Sequence, residues 1–280
     1  MKIHIPRWVG IALLCAVLPG LYNGLKTAHY RLDAGASPEE MRIVFLSDLH
    51  DCAWGEDMDG LLSAVDGQRP DLILLGGDLF GDGPSSENTV RFLEGIAGRY
   101  PCYYVTGNHE YAGGAEAFAA RMAVLEGLHI RRLSGEMAEI EWKGVHLNLC
   151  GVDDPAAWAG GFDPAAAGWA SFEEQLEHVS ALPRRNGYTI LLSHRPEKFD
   201  LYCAYGFDLV LAGHAHGGQW AVPGLLNGVY APGQGYFPKY AGGRFDKDGT
   251  VMIVGRGLVR ASGRLPRFYN PPEIVVVTLK

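Results

Sequence analysis

The sequence predicts an α/β protein, and three observations carry the prediction. Short apolar runs recur from residue 41 to the end of the chain. Segments of helical length separate the first three of them. The runs also end alike, in Gly or Ser followed by Asp, Asn or His. Continuous apolar runs of this length read as strands covered on both faces.

The first element in order is MKIHIPRWVGIALLCAVLPGLYNGLK, with Lys2 and Arg7 ahead of an apolar stretch from Trp8 to Tyr22, and Lys26 after it. The stretch sits at the short edge of the ~20 residues a spanning helix needs. Trp8 and Tyr22 fall where interfacial aromatics belong. A cleaved signal is one rival. Its candidate junctions after Gly20, Gly24 or Ala28 place Leu18, Tyr22 or Lys26 where a small residue is wanted. A buried core helix is the other rival. Residues 1–24 are therefore read as a membrane anchor or signal-anchor, and 25–280 as one catalytic domain without an internal linker. The expected location is the cell membrane through a single-pass N-terminal anchor. The basic flanks are nearly balanced, with the extracytoplasmic side slightly favoured for the domain.

Six runs follow: MRIVFLSDLH (41–50), PDLILLGGDL (70–79), CYYVTGNHE (102–110), VHLNLCGVDD (145–154), YTILLSHRPE (188–197) and FDLVLAGHAH (207–216). Helices are predicted over about 56–67, 86–99, 114–127 and 171–181. The first two connect runs one to two and two to three, and that β-α-β-α-β order implies parallel pairing with helices packed on the sheet. TVMIVGRGL and EIVVVTLK supply two late strands.

Composition excludes some classes. The net charge is −8 with a pI near 5.7 and no dense Lys/Arg stripe. Nucleic acid is therefore not an expected partner, because phosphate-backbone binding needs clustered positive charge. An acidic site can still take a phosphorylated substrate when bound metal reverses the local potential. Five widely spaced cysteines without a C-x-x-C argue against a disulfide framework and a zinc ribbon.

Five of the six runs end in candidate metal ligands: Asp48 and His50; Asp78; Asn108, with His109 beside it; His194; and His214 with His216. In open α/β sheets ligands bind beyond the carboxyl ends of strands. One such residue alone reads as a cap or turn residue. The same placement five times over does not. A single catalytic zinc needs about three protein ligands, whereas two divalent ions sharing a carboxylate suit the larger set. Mixed nitrogen and oxygen donors without thiolate fit manganese, iron, zinc or magnesium.

The ordered set SDLH, GGDLF, GNHEY, SHRPE and GHAHGGQ resembles the signature of the calcineurin-like metallophosphoesterases, over residues 41 to 280. The resemblance implies an αββα sandwich of two mixed β-sheets flanked by helices. It implies that Asp48, His50 and His216 hold one metal, that Asn108, His194 and His214 hold the other, and that Asp78 bridges them. His109 matches the family's catalytic histidine, which contacts the phosphate and helps the leaving group depart. The N-terminal apolar segment, GNHEY, GHAHGGQ and the late GRGL…PEI resemble the membrane-anchored bacterial phosphodiesterases, some of which remove UMP from UDP-2,3-diacylglucosamine.

The implied activity is hydrolysis of a phosphodiester or pyrophosphate by direct attack of a metal-bound hydroxide, on a lipid-linked or nucleotide-type substrate at the membrane. The alternatives are a phosphomonoesterase or protein phosphatase of the same fold, and a non-catalytic scaffold that binds partners. The complete ligand set speaks against the scaffold.

Other residues have blander readings. Asp51 and Cys52 follow His50, but the ligand set is complete without them. Asp82 and Asp154 adjoin Gly or Pro, Asp153 stands beside Asp154, and all three read as turn residues. Arg195 and Arg256 would pair with phosphate or balance the acidic site. Tyr111 would stack at the mouth of the site or pack inside. Two loops, 155–172 with Trp158, Phe162 and Trp169, and 219–240 with Trp220, Leu225, Leu226, Tyr230, Tyr236 and Phe237, are apolar for their Gly/Pro content. They would pack on the domain or form a greasy rim beside the metals.

Overall fold

Alternate side chains of each apolar run leave the backbone on opposite faces, and each face finds its own core. Ile43 and Phe45 join Leu72, Leu74, Ile190, Leu192 and Val275 in a core between two sheets. Val44 and Leu46, one residue out of step, pack outward with Ile73 and Leu75 against helices. Each such side chain, once fully buried, contributes ~1.5–3 kcal/mol relative to exposure.

The computed structural model describes residues 8, 15, 17–35, 40–83, 85–159, 168–184, 187–262 and 265–280. Its main strands are β1 (Lys26–Leu32), β2 (Met41–Leu46), β3 (Leu72–Leu75), β4 (Cys102–Tyr104), β5 (Arg131–Arg132), β6 (Glu136–Trp142), β7 (Val145–Gly151), β8 (Tyr188–Leu192), β9 (Leu209–Ala212), β10 (Gly243–Lys247), β11 (Thr250–Val254) and β12 (Glu273–Leu279). The first sheet has the order β1-β12-β2-β3-β4-β5 and the second β10-β11-β9-β8-β7-β6.

Both sheets are mixed. β2, β3, β4 and β5 run parallel, as the alternating order implies, and β12 enters antiparallel to β2. In the second sheet β7, β8, β9 and β11 are parallel, with antiparallel strands β6 and β10 at the two edges.

Helices α1 (Asp59–Gln68), α2 (Glu87–Ile96) and α3 (Gly114–Gly127) cover the outer face of the first sheet through Leu61, Val65, Phe92, Leu93, Ile96 and Leu125. Helices α4 (Phe172–Ala181) and α5 (Phe199–Cys203) cover the second through Leu176, Val179, Phe199 and Tyr202. The result is the expected αββα sandwich of two mixed sheets.

Helix boundaries lie close to those expected. α2 stops at Ile96, short of the expected 99, because Ala97 turns to extended ψ and Gly98 takes a left-handed φ of 70°. α1 begins at Asp59, because Asp57 and Met58 ahead of it have positive φ and form a separate tight turn. Strands β1, β5, β6 and β10 and the short α5 were not anticipated. β6 (EMAEIEW) is an edge strand with alternating exposure, a pattern that a search for continuous apolar runs passes over.

Most of the expected anchor lies outside the described residues. Among the described residues no helix is long and apolar enough to cross a membrane. Leu18–Leu21 form a tight helical turn fastened to the body of the domain. The Tyr269 amide donates to the Gly20 carbonyl at 2.7 Å, and the Asn23 amide group donates to the Arg260 carbonyl at 2.8 Å.

Candidate metal centre

Parallel strands deliver their carboxyl ends to one side, and the loops just past those ends meet there. Asp48 and His50 follow β2, Asp78 follows β3, Asn108 and His109 follow β4, His194 follows β8, and His214 and His216 follow β9. The structure brings all of them together. Asp48, His50, Asp78 and His216 form one group, and Asp78, His194 and His214 a second. Within each group the ligand atoms lie within 4.8 Å of one another. Asp78 belongs to both. Its Oδ2 stands 3.8 Å from His50 Nε2 and 3.1 Å from His194 Nε2.

The backbone is bent hard to achieve this. Asp48, His50, Asp78, His214 and His216 all have left-handed φ, between 48° and 64°. Such a conformation costs of order 1–3 kcal/mol at a non-glycine residue and persists only where the surroundings enforce it. Close approach is also required. A Cβ on Gly107 would lie 2.2 Å from Asp78 Oδ1, and one on Gly213 would lie 2.6 Å from Asp48 Oδ2.

Hydrogen bonds hold the carboxylates in place. Ser47 Oγ donates to Asp48 Oδ2 at 2.5 Å, and the His214 amide donates to Asp48 Oδ1 at 3.0 Å. The His109 amide donates to Asp78 Oδ1 at 2.8 Å. His194 Nδ1 donates to the Gly76 carbonyl at 2.7 Å, which turns its Nε2 toward Asp78.

Glu110 is a supporting residue that motif reading did not single out. Fully buried, its carboxylate accepts from the amides of Asp78, Leu79, Phe80 and Gly107. It therefore ties the loop after β3 to the loop after β4. Burial, and the Asp78 charge next, push its pKa up to about 7. Arg121 completes the frame by donating to the carbonyls of His109, Glu110, Ala112 and Gly81.

The donor set fits divalent metal. His50 Nε2, Asn108 Oδ1, His216 Nδ1 and Asp78 Oδ2 are buried and make no hydrogen bond in the protein. Buried polar atoms are nearly always paired, so four without a hydrogen bond among the candidate ligands suit a site for a cation. Asn108 opens the turn at 109–111, yet its side chain caps nothing.

The electrostatics agree. Burial lowers the pKa of His50, that of His216 to about 4 and that of His214 further still, leaving all three as neutral imidazoles. His194 differs. Burial opposes its charge, but Asp78 and Asp48 outweigh burial and push it up to about 10. Asp78 is held well below the usual carboxylate range, against its own burial, chiefly by His194.

His109 stands beside this cluster, its ring edge-on to His50 at 4.4 Å. Its Nδ1 donates to Asp82 Oδ1 at 2.6 Å. The turn reading of Asp82 thus missed a contact. No local signal marks it, because the loop after β3 must fold back onto the loop after β4.

Of the remaining residues, Asp51 accepts from the Thr89 amide at 2.8 Å near the start of α2, and Cys52 packs against the helix core. Asp153 accepts from Thr106 and Ser134 in the interior. Asp154 caps the turn at 155–158 through the Ala156 amide, and its side chain also takes a two-pronged contact from Arg195. Arg195 Nη1 reaches His214 Nε2 at 2.7 Å. Arg256 donates to Asn270 and Asn227. Tyr111 stacks on Phe118 at 4.9 Å and hydrogen-bonds with Thr106, inside the protein.

The cluster opens into a cavity of about 590 Å³, whose lining includes His50, Asp78, Asn108, His109, His214 and His216. Asp51, Asp82 and Ser85 also line it, as do the apolar Pro232, Val259 and Ala261.

Residues 41–218 match the profile of the calcineurin-like phosphoesterases. An uncharacterized metallophosphoesterase of Aquifex aeolicus is 29% identical over 280 residues, covering 96% of this chain and 98% of its own. One from Helicobacter pylori (strain 26695) is 30% identical over 220 residues, covering 75% of this chain, which spans about half (54%) of that relative's length. Phosphodiesterase YaeI of Escherichia coli is 31% identical over 196 residues, 68% of this chain and 66% of its own. Among solved structures, a putative 5′-nucleotidase from Staphylococcus aureus superposes with a TM-score of 0.51 at 14% identity, covering 85% of this chain and 54% of that one. That likeness concerns the fold alone.

Proposed function

The chain belongs to the calcineurin-like phosphoesterase family, whose members are hydrolases of phosphoric esters, and on that premise we propose that it cleaves a phosphodiester or pyrophosphate with two divalent metal ions at the strand ends. The observation that carries this reading is the pair of ligand groups sharing Asp78, with four buried donor atoms unpaired in the protein.

In this reading Asp48, His50 and His216 hold one ion, Asn108, His194 and His214 the other, and Asp78 both. Two bound divalent ions supply charge neutralisation for the phosphate and a water acidic enough to act as nucleophile near neutral pH. The chain's own residues do the rest. His109, held by Asp82, gives its Nε2 proton to the leaving oxygen as the P–O bond breaks. Glu110 and Arg121 keep the β3 and β4 loops in register, so that His109 and Asp78 stay in fixed relation.

The substrate we propose is a lipid-linked or nucleotide-type phosphodiester or pyrophosphate, UDP-2,3-diacylglucosamine exemplifying the latter, met at a membrane that the N-terminal apolar segment engages. Support comes from the apolar sequence from Trp8 to Tyr22 and from the apolar Pro232, Val259 and Ala261 in the lining of the cavity at the metal cluster.

The test is metal analysis of the full chain coupled to hydrolysis of bis-p-nitrophenyl phosphate with and without manganese. About two metals per chain are expected, with turnover lost in Asp78→Ala and lowered only modestly in His109→Ala, because p-nitrophenolate departs unprotonated. Fewer than one metal at saturation together with no turnover would overturn the reading.

A further inference from the structure

Scattered surface hydrophobics are ordinary in soluble proteins and need no account. Here they are not scattered. Every large hydrophobic side chain exposed among the described residues lies in one of two stretches, 8–22 or 220–237. Leu225, Tyr236 and Phe237 are 84%, 75% and 68% exposed.

The two stretches are distant in sequence and joined in the fold. Gly20 packs so closely on the rings of Phe268 and Tyr269 that a Cβ there would lie 2.5 Å from Phe268 Cε2. Phe268 neighbours Trp220, ring to ring at 6.1 Å, and the Trp220 indole donates to the Pro266 carbonyl at 2.8 Å. Pro266 pairs with Ala261 in a short ribbon, and Ala261 lines the cavity at the metal cluster. A second ribbon pairs Tyr230 with Tyr236, and Pro232, also a cavity residue, lies in its turn. A chain of contacts thus runs from the N-terminal segment to the mouth of the metal site.

We infer that this edge, formed by Leu18, Leu21, Trp220, Leu225, Tyr236 and Phe237, docks on a lipid bilayer and sets the cavity mouth at headgroup depth. Three features select a bilayer over another protein. The exposed aromatics include Trp and Tyr, whose amphipathic rings suit the membrane–water boundary. Residues 219–240 carry no acidic side chain in a chain of net charge −8, so the edge escapes the repulsion that anionic lipid exerts on the rest of the molecule. The apolar sequence from Trp8 to Tyr22, with Lys2 and Arg7 ahead of it, includes Leu18 and Leu21 of this edge, so an N-terminal membrane segment and the edge would meet the same bilayer.

The consequence for chemistry rests on the function proposed above: the bond cleaved is a phosphodiester or pyrophosphate within a lipid headgroup, not one in a freely diffusing nucleotide.

The test is amide hydrogen exchange on the full chain, with and without vesicles of phosphatidylethanolamine and phosphatidylglycerol. Amides in 220–237 should slow by ~5-fold or more on adding vesicles, while those in 136–142 should not change. In Leu225→Ser/Phe237→Asn that protection should largely disappear, while bis-p-nitrophenyl phosphate turnover stays at the parental level. Asn is chosen because Phe237 has a left-handed φ of 57°. The single Leu225→Ser variant should show partial loss. Co-sedimentation with vesicles without slowing in 220–237 would overturn the inference. So would slowing that depends on protein concentration and not on lipid, which would assign the edge to a second copy. Absence of diester turnover in the parental protein would sink the phosphoesterase reading and leave the protection result standing.

Discussion

His109 Nδ1 donates to Asp82 Oδ1 across 2.6 Å, and so links the loop after β3 to the loop after β4 at the rim of the cavity. Asp82 is more than half exposed, and its contact fixes the orientation of the ring. Asp82→Asn should lower kcat by ~10-fold and His109→Ala by ~100-fold on a diester with an alkoxide leaving group. With p-nitrophenolate, which departs unprotonated, both losses should shrink. Equal losses across leaving groups would show that the pair does not deliver a proton.

The histidine environments set how many protons leave when metal binds. His50, His214 and His216 are already neutral, whereas His194 keeps its proton up to about pH 10 in the metal-free protein. A ligating imidazole must be free of that proton. Manganese uptake at pH 8 should therefore release about one proton from His194, and affinity should rise with pH toward 10. Four ordinary histidines would release almost none at pH 8. Calorimetric titration in buffers of different ionisation heat counts the protons, and His194→Gln should remove one. An unchanged count in that variant would mean the proton comes from elsewhere.

Arg195 and Asp154 form a largely buried pair, with the carboxylate wholly enclosed. Arg195→Ala leaves that carboxylate without its partner and should destabilise the fold by ~3 kcal/mol. Asp154→Asn in the same chain should recover part of the loss. Urea denaturation of the single and double variants measures the coupling, and strictly additive losses would show the pair to be independent.

Gly107 has no room for a side chain against Asp78. Gly107→Ala should displace the Asp78 carboxylate, cost ~1–3 kcal/mol of stability and lower metal content per chain. Retention of full metal content would show that the loop after β4 can yield without disturbing the shared ligand.

Much of this was legible in the sequence, and the remainder fails for physical reasons. MRIVFL, LILL and LVLA announce strands because both faces of each are covered, so hardly a polar residue interrupts them. β1 (KTAHYRL) lies at a sheet edge with several positions exposed, so its composition resembles a loop. The seven candidate ligands were visible because each follows its strand by a few residues. The roles of Glu110, although it stands within GNHEY, and of Asp82 were not, because their partners come from other loops: the amides of 78–80 for one, the ring of His109 for the other. Local sequence carries the strand and its terminus, but not which loop folds back onto which.

The left-handed backbone at Asp48, His50, Asp78, His214 and His216 has an evolutionary corollary. Glycine would relieve each of these positions, and Asn would sit there with less strain. A lineage with no use for the ligands would gain stability by drifting toward those residues one substitution at a time, with no need to alter the fold. The present chain keeps Asp or His at all five. It carries a standing burden of backbone strain that selection for a working site explains and selection for a stable scaffold does not.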